Sequence, residues 1–580
     1  MARNRLEISK TALSPFSLEE LVKKAEELNR ENQKTYTTTF PKAPGRLLSH
    51  YRFEPRPIRF TCEGEVEGGL SHLLGSLFDF SFTRSIFAPL YSKEGGHCFD
   101  PASLFFLELA SKVDGYPDYA SFCKDLRQEE KGRSYRLLAG IEDSIPGEDD
   151  LCHFRYRVGS GPIDSTMDVF VRFLLEFGLI RPELMATDGQ LEPSNSRYRG
   201  CAHFCSECEG FPLTEAHRKI LSDQICSGAK RLQITCPFPE VVEKVRKATE
   251  KKGNSVEPKV ALLEIEHLAE GTPQTTAAQK LAKLLSLDPD QIPPFKIKWF
   301  HIKDGPDGVL VGRCSKVPSD PEARVGYHID TQDPQKKERV FGYLQQRTTT
   351  INVNLGLELP VANSTHPANA DEGNELFSHR TKAAVPFVDG QVHCLDSGHD
   401  QTDNYLKLAQ HGVIPLIDYN RRRENHSPEA LLKRGYDQFG TPYAPCGRLC
   451  RSNGYDYASE SRQYVCGLPC PEDERMSCPH GQKAMGYCRR MSFFEYPRLI
   501  GPLQRGTEGW RFFYGIRTAS ERTNSYDQEV IEKGRKQKLR GLKAFSFSGA
   551  IRTLAHLLVR ALDFVLNATH TLGRLNPLRI

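Results

Sequence analysis

The segment Leu184-Met185-Ala186-Thr187-Asp188-Gly189 has the pattern of a buried strand that delivers a carboxylate at its end. A short apolar run followed by Asp-Gly is typical of a strand that leads into a turn, because Asp and Gly both suit turn geometry. By itself this pattern is more often a plain turn than a functional site. Its meaning depends on the elements that the rest of the chain places beside it.

Strands and helices alternate in the chain after residue 340. We predict strands at 340–344, 348–355, 357–361, 393–396 and 413–417, a turn at 354–356 and a helix at 404–411. The strand His393-Cys394-Leu395-Asp396 also ends in a carboxylate, although Asp396 could equally cap the segment that follows. This alternation predicts an α/β sheet.

The region before the sheet has helical periodicity. Apolar residues recur at helical spacing in 102–110 and 167–179, and Asp100-Pro101 is a good helix start, with Asp as the cap and Pro in the first turn. We therefore predict an all-helical N-terminal domain over residues 70–180. Residues 1–69 form a partly irregular N-terminal extension, with one helix predicted at 18–30.

Composition and hydropathy argue against a membrane protein. The 580 residues are 38% hydrophobic and 26% charged, with a mean hydropathy of -0.50. No run reaches the roughly 18 apolar residues that a membrane span requires. Residues 551–567 come nearest, but polar and charged side chains interrupt them, which predicts an amphipathic helix. Since no secretory signal is apparent, we expect a cytoplasmic location and no membrane partner.

Positive charge is concentrated towards the C-terminus. Residues 498–580 hold 15 Lys and Arg against 6 Asp and Glu, a net +9, whereas the whole chain has a net +4. The densest basic run is Lys533, Arg535, Lys536, Lys538, Arg540 and Lys543. Such a run is usually a solvated face, but it also suits a polyanionic partner such as DNA, whose phosphates it would neutralise.

Clustered cysteines fall in two polar excursions, which we predict to be insertions at about 190–323 and 442–496. The second excursion has spacings close to those of structural zinc sites, and contains Cys446, Cys450, Cys466, Cys470 and Cys478, with His480 and Cys488 nearby. The first is less regular, and contains Cys201, His203, Cys205, Cys208, His217 and Cys226. Free or buried thiols are the alternative for both clusters, since disulfides are not expected in a chain without an export signal.

A third carboxylate belongs to the pattern Tyr514-x2-Arg517-x3-Glu521, whose members share one face of a helix. Alone, this pattern is usually a solvated ion pair beside a core aromatic residue. Together with Asp188 and Asp396, however, Glu521 completes the three carboxylates from separate elements that two-metal phosphodiester chemistry needs. Oxygen ligands of this kind suit Mg²⁺ or Mn²⁺.

These motifs resemble those of the insertion-sequence DDE transposases, in the subgroup with the Y-(2)-R-(3)-E signature. Ala186-Thr187-Asp188-Gly189 is similar to the end of the first strand of their catalytic domain, and Leu395-Asp396-Ser397-Gly398-His399-Asp400 to their Asp-x-Gly-Tyr-Asp element. Two positions depart from the family pattern, since His399 replaces Tyr and Gln528 replaces the Lys of the signature. The resemblance implies a ribonuclease-H-like catalytic domain over 181–566, with the Cys-rich insertions inside it and a tail at 567–580.

The resemblance also implies an activity, that of a DNA transposase in which Asp188, Asp396 and Glu521 are catalytic metal ligands. It would cleave transposon ends and join them to target DNA. Double-stranded DNA would contact Tyr514, Arg517, Arg522, Lys533, Arg535 and Lys536, and the helical domain would bind the terminal repeats. A homodimer in a synaptic complex and a nucleoid-associated location follow. Two alternatives stay open: a transposase-derived DNA-binding protein without catalysis, and a zinc-dependent hydrolase that uses the Cys/His clusters.

Overall fold

A computed structural model gives the structure of the chain. The residues that it describes are 47–54, 56, 69–92, 96–196, 211–212, 215–228, 231–235, 261–298, 303–304, 310–312, 319–329, 337–422, 424–466, 471–531 and 538–568. The helix predicted at 18–30 lies outside these residues.

Helices build the N-terminal part of the described chain. Their bounds are α1 Gly69–Leu77, α2 Thr83–Phe87, α3 Pro101–Val113, α4 Tyr119–Leu126, α5 Glu129–Ala139, α6 Glu148–Val158 and α7 Gly161–Glu176. α3 begins where the sequence predicts, because the Asp100 carboxylate accepts a hydrogen bond from the Ala102 backbone N–H at 3.0 Å and Pro101 occupies the first turn. The two predicted helical segments at 102–110 and 167–179 correspond to α3 and the second half of α7.

Strands and helices alternate from residue 184 onward. The first excursion follows β1 Leu184–Pro193, and contains β2 Phe211–Pro212, α8 Glu215–Cys226, β3 Arg231–Thr235, β4 Ala261–His267, α9 Thr276–Leu284, β5 Phe295–Lys298, β6 Lys303–Asp304 and β7 Leu310–Gly312. The chain then returns through β8 Arg324–Ile329, β9 Lys337–Asn352, β10 Leu357–Pro367, α10 Glu372–Lys382, β11 Val392–Leu395, α11 Thr402–Gln410 and β12 Ile414–Ile417. The last elements are α12 Pro428–Arg434, β13 Arg451–Asp456, β14 Ser461–Val465, α13 Glu472–Ser477, β15 Cys488–Ser492, α14 Glu508–Gly515, α15 Thr518–Tyr526 and α16 Leu542–Ala568.

A mixed six-stranded sheet is the largest sheet of the described residues. Its strand order is β10-β9-β1-β11-β12, with β8 paired to β9. β1, β11 and β12 are parallel to one another, whereas β9 is antiparallel to β1, β8 and β10. The predicted α/β class is therefore confirmed, in the form of a mixed sheet with helices packed on it.

Side chains alternate between two helix-covered faces of this sheet, as the pleat requires. On one face, Ala186 and Cys394 belong to a buried cluster with Ala519 of α15. On the other face, Leu395 packs in a separate cluster with Leu376 of α10. Residues two apart on β1 or β11 therefore share a face and a set of neighbours.

Two strands are longer than the sequence predicts. β1 continues past Asp188, because residues 189–193 pair with residues 342–346 of β9. β9 replaces the two strands predicted at 340–344 and 348–355 with one. The polar residues that separated them in the sequence, Gln345, Gln346 and Arg347, are buried inside this strand. The predicted turn at 354–356 is present, and Gly356 adopts φ +62° there.

The helix predicted over 551–567 is present as part of α16, and it is buried on all sides rather than on one face. Residues 551–559 and 561–563 are all buried. Its polar side chains have partners inside the protein, Glu192 for Arg552 and Asp527 for His556. In the described part of the chain, no helix is long and apolar enough to cross a membrane.

The N-terminal helices share their core with α16 and with the sheet. One buried cluster contains Phe105 of α3, Phe170 of α7, Leu359 of β10, and both Leu554 and Leu558 of α16. α16 thus lies between the N-terminal helices and the sheet and buries apolar surface on both sides.

Candidate metal centre

The parallel pairing of β1 with β11 places Asp188 beside Asp396. The register aligns Thr187 with Leu395, so the two aspartates are the next residues on adjoining strands. Asp188 lies two positions after Ala186, and Asp396 lies two positions after Cys394. Because Ala186 and Cys394 pack towards α15, strand alternation directs both carboxylates to that face. Two of the three predicted carboxylates come together through this register.

His399 holds the carboxylate of Asp396 in place. The Asp396 carboxylate accepts hydrogen bonds from His399 Nδ1 at 2.7 Å and from the Gly398 backbone N–H at 3.0 Å. Burial alone would raise the pKa of Asp396, but the hydrogen bond and charge of His399 hold that pKa below its usual range. Burial opposes a charge on His399 as well, yet its bond to Asp396 raises the pKa of the imidazole. The departure from the family pattern at position 399 thus has a structural role in this chain.

Gln346 of β9 completes the surroundings of His399. Its Nε2 lies 3.2 Å from His399 Nε2 and 3.3 Å from the backbone oxygen of Glu372, while its Oε1 has no hydrogen-bond partner although it is buried. With a neutral imidazole, the Gln346 N–H donates to His399 Nε2. With a protonated imidazole, turning the amide end for end would present Oε1 to the Nε2–H. Gln346 is therefore suited to both charge states of His399.

Glu372, at the first position of α10, is a carboxylate of this cluster that the sequence motifs did not reveal. Ligand atoms of Glu372, Asp396 and His399 all lie within 4.8 Å of one another, and no other such group of three occurs among the described residues. Burial is the main cause that raises the pKa of Glu372 to about 7, with further contributions from the charges of Asp396 and Asp188. These three carboxyl groups therefore repel one another when no cation is present.

Gly189 allows Glu372 to approach the strand. A Cβ atom at position 189 would lie 2.5 Å from the Glu372 carboxylate, which is closer than any real contact. A glycine within a strand often marks such a close approach. The Asp-Gly pair at 188–189 is therefore not a turn in this structure, because the strand continues and the glycine makes room for a carboxylate.

Asp188 is tied to α15 by two polar side chains. Its carboxylate accepts a hydrogen bond from Asn524 Nδ2 at 3.1 Å and lies 3.8 Å from Arg517 Nη1. Burial, followed by the charge of Asp396, raises the pKa of Asp188 to about 6, although Arg517 opposes the shift. Asn524, which no motif singled out, positions the central carboxylate.

Glu521 lies at the open side of the cluster and is bound to Arg517. The Arg517 guanidinium pairs with Glu521 and also approaches Asp188, so it bridges the two carboxylates. The Glu521 side chain is 51% exposed, and Glu521 is not part of the compact group of three. The structure thus brings the predicted third carboxylate, Glu521, close to Asp188, with the Arg517 guanidinium between them.

The other predicted DNA contacts lie on and around α15. Tyr514 stacks on Trp510 with ring centroids 4.4 Å apart, and the Arg517 guanidinium lies 5.9 Å from the Tyr514 ring. Arg522 is exposed and pairs with Glu358. The three remaining predicted contacts, Lys533, Arg535 and Lys536, lie outside the described residues.

The predicted zinc ligands are partly described. Cys446 is exposed, Cys450 and Cys466 are buried, Cys478 is intermediate, and Cys470 lies outside the described residues. Of the first cluster, the side chains of Cys201, His203, Cys205, Cys208 and His217 are likewise outside the described part, whereas Cys226 is exposed at the end of α8.

The cluster of Asp188, Asp396, Glu372 and His399 has the donor set of a hard divalent cation. Three carboxylates offer oxygen ligands, and hard cations such as Mg²⁺ and Mn²⁺ prefer oxygen. Their mutual repulsion is relieved when a cation binds. No family profile, curated protein or solved structure matches the chain.

Proposed function

We propose that this protein is a DNA transposase of the DDE type, with a ribonuclease-H-like catalytic domain built on the six-stranded sheet. The observation that carries the proposal is the pairing of β1 with β11, which places Asp188 beside Asp396 on the face covered by α15. The same helix brings Glu521 to this face, on the far side of Arg517. Three acids that are distant in the sequence are thus neighbours around one partly open centre.

The carboxylates fit a pair of Mg²⁺ or Mn²⁺ ions. Asp188 occupies the middle of the group, between Asp396 and Glu372 on one side and Arg517 with Glu521 on the other. When bound, such ions would activate water or a 3′-hydroxyl and stabilise the leaving oxygen. We propose that Asp188, Asp396, Glu372 and Glu521 would hold these ions.

The surrounding side chains prepare these ligands. His399 fixes the Asp396 carboxylate through Nδ1, and Asn524 fixes that of Asp188 through Nδ2. Ligands oriented by such outer partners lose less freedom when a cation binds. Arg517 compensates negative charge between Asp188 and Glu521. If Glu521 served as a metal ligand, the Arg517 guanidinium would be available to a DNA phosphate, which its planar fork could engage in a bidentate manner.

The reaction would proceed in two steps at each transposon end. In hydrolysis, the oxygen of water forms a bond to phosphorus, the bond from phosphorus to the 3′ oxygen breaks, and the 3′ oxygen takes a proton to become a hydroxyl. In strand transfer, that hydroxyl attacks a phosphorus of the target DNA and displaces its 3′ oxygen. Because two ends must be joined, we propose that a homodimer acts on double-stranded DNA, as the resemblance implies.

Cleavage of DNA that carries the terminal repeats flanking the gene tests this proposal. We expect wild-type protein to cleave at the repeat ends with Mg²⁺ and not with a chelator. Asp188→Asn and Asp396→Asn should abolish cleavage while DNA binding at the same salt concentration is retained. Glu508→Gln is the matched control, because Glu508 lies exposed in the first turn of α14 and outside the cluster.

The comparison separates the proposal from its main alternative. DNA binding by the wild type without cleavage at any divalent ion would favour a transposase-derived DNA-binding protein. Glu372→Gln and Glu521→Gln, measured side by side, identify which acid completes each ion position. If both retained wild-type cleavage, the centre would consist of the two aspartates alone.

A further inference from the structure

Three cysteines come together at one end of the small antiparallel sheet formed by β13, β14 and β15. The register aligns Arg451 with Val465 and Val465 with Cys488. Cys450 directly precedes β13, Cys466 directly follows β14, and Cys488 is the first residue of β15. Strand pairing therefore brings these three cysteines from separate strands to the same sheet end, across 38 positions of sequence between the first and the last.

Contacts around Gly486 show how close two of these thiols are. A Cβ atom built on Gly486 would lie 3.7 Å from Cys466 Sγ, and Cys488 Sγ lies 3.9 Å from the Gly486 backbone oxygen. The backbone N–H of Cys466 also donates to the Tyr487 oxygen at 2.8 Å. Cys466 and Cys488 thus border the same glycine, which adopts φ +64°.

A tight turn returns Cys446 towards Cys450. Within it, the Ala444 backbone N–H donates to the Arg448 oxygen at 2.8 Å, the Gly447 N–H donates to the Ala444 oxygen at 2.8 Å, and Gly447 adopts φ +80°. Only glycine adopts this conformation readily, so the Cys-Gly pair is suited to the turn.

The position of each cysteine relative to the sheet separates this group from the set that sequence spacing favoured. Cys488 opens β15 at the sheet end where Cys450 and Cys466 lie, whereas Cys478 follows α13 and belongs to no strand of this sheet. Cys470 lies outside the described residues. The described residues therefore gather Cys446, Cys450, Cys466 and Cys488.

We infer that Cys446, Cys450, Cys466 and Cys488 hold one structural zinc ion at the end of this small sheet. Four thiolates supply the complete tetrahedral shell of a structural site, with no position left open for catalysis. In the described chain no three of these sulfur atoms lie within 4.8 Å of one another. Zinc binding therefore requires some of these side chains to change rotamer, and Cys446 and Cys488 are exposed.

The ion would cross-link the exposed edge of this sheet to its buried strands. β13 is mostly exposed, whereas Tyr464 of β14 and Met491 of β15 pack in the buried cluster that contains Leu395, so a metal held by both parts would add to the stability of the edge. Arg462 of β14 donates to the backbone oxygens of Gly501 and Pro502 at 2.7 and 2.9 Å. The zinc-bound sheet would therefore anchor the segment that leads into α14 and α15. This inference is independent of the proposed transposase function.

Metal analysis of the purified full-length protein tests the inference. We expect the wild-type protein to contain about one equivalent of zinc more than the Cys446→Ser variant or the Cys488→Ser variant. These two cysteines are exposed, so their variants should still fold, which circular dichroism checks. Cys152→Ser, in α6 and far from this sheet in sequence, is the matched control and should keep the wild-type zinc content. Because the comparison is a difference, zinc bound by the first cysteine cluster does not affect it.

Cobalt substitution gives a second readout that does not depend on activity. Cobalt-loaded wild type should show a thiolate-to-cobalt charge-transfer band, which weakens in Cys446→Ser and Cys488→Ser. Unchanged zinc content and an unchanged cobalt spectrum in both variants would overturn the inference, as would a wild-type protein that takes up no zinc. Iron in place of zinc would also overturn it, since four thiolates can hold an iron–sulfur cluster. A Cys478→Ser variant that loses the ion would reject the ligand set.

Discussion

Two acids on neighbouring elements of this protein, the buried Asp527 and the partly buried Asp188, have environments that shift their pKa values in opposite directions. Asp527 contacts two arginines and a histidine: Arg347 Nη2 at 2.5 Å, Arg552 Nε at 3.4 Å, and His556 Nδ1, which donates to it at 2.5 Å. Burial would raise the pKa of Asp527, but Arg347, followed by His556 and Arg552, holds that pKa below its usual range. At Asp188, burial and a neighbouring carboxylate dominate, and they raise the pKa to about 6.

The difference indicates what each cluster is for. The charge of an acid that faces several cationic side chains is compensated within the protein, and such a network holds elements together. A group of acids with too few cations is unstable until it acquires one, which is the property expected of a metal centre. Burial alone does not distinguish the two cases. The balance of charge around each acid does.

One residue pair connects the clusters. Arg347 Nη1 donates to Asn524 Oδ1 at 3.1 Å, and the Asn524 amide in turn donates to Asp188. Arg347 lies directly opposite Asp188 in the β1–β9 register. The network around Asp527 thus supports the orientation of Asp188 through Asn524. The comparison can be tested by changing each group in turn.

The largest effect on stability is expected from Asp527→Asn. This change removes the acid that Arg347 and Arg552 share in a buried network, although Arg552 keeps its pair with Glu192, and breaking such a network costs about 3–5 kcal/mol in the free energy of unfolding. The urea midpoint can be followed by fluorescence in a Trp299→Phe background, where Trp510, stacked near the centre, is the remaining tryptophan. Glu529→Gln, which alters an exposed acid in the same turn, is the control and should change the midpoint little. A similar midpoint for both variants would mean that Asp527 is not the central acid of the network.

A smaller effect, on activity rather than stability, is expected from His399→Ala. Loss of the Nδ1 hydrogen bond frees the Asp396 carboxylate, so Mg²⁺ affinity or cleavage should fall by about 10- to 100-fold. His399→Asn is the matched variant, because its amide nitrogen can occupy the place of Nδ1 and donate to Asp396. We expect it to recover part of the loss. Equal defects in both variants would show that His399 acts through something other than this bond.

The pH dependence of Mg²⁺ binding should show the weakest effect. The pKa of Glu372 rises from its ordinary value of 4.5 to about 7 in the folded, metal-free protein, so folding favours the protonated form. Its contribution to stability is therefore most favourable below its unfolded pKa and declines as the pH rises through about 7. Bound Mg²⁺ removes this penalty, and the Mg²⁺-induced increase in melting temperature should grow between about pH 5 and about pH 8.

Glu372→Gln checks that assignment. Without the ionising group, the metal-free protein should be more stable than wild type at high pH, and the growth of the Mg²⁺ effect with pH should diminish. Asp403→Asn, which changes an exposed acid in the first turn of α11, is the control. If the pH profile of Glu372→Gln matched that of the wild type, other carboxyl groups would be responsible for the dependence.

Local signals made part of this fold predictable from the sequence. Capping by Asp100, the turn at Gly356 and the short apolar strands that precede Asp188 and Asp396 depend on residues close together in the chain, so pattern and propensity reveal them. The Tyr514-x2-Arg517-x3-Glu521 pattern was visible for the same reason, and the ion pair between its Arg and Glu is the usual interpretation of such a spacing.

Features that depend on tertiary contacts were not predictable in this way. Glu372 follows the capping residue Asp371 and looks like an ordinary acid in the first turn of a helix. Only its close approach to Gly189, 183 residues earlier in the chain, shows that Glu372 belongs to the carboxylate cluster. Polar residues that pair with distant groups hid the continuity of β9. Polar side chains also hid the burial of α16, because Arg552 pairs with Glu192 of β1 and His556 with Asp527, the residue after α15.

The position of α16 also affects how the protein is made. It is the last described element of the chain, yet it supplies core residues to the first helices and to β10. Chains fold as they are synthesised, beginning with their N-terminal parts. Here the helices that leave the ribosome first must wait for residues 542–568 before their apolar surface is covered. A chain terminated before these residues would expose that surface and become a substrate for chaperones and proteases.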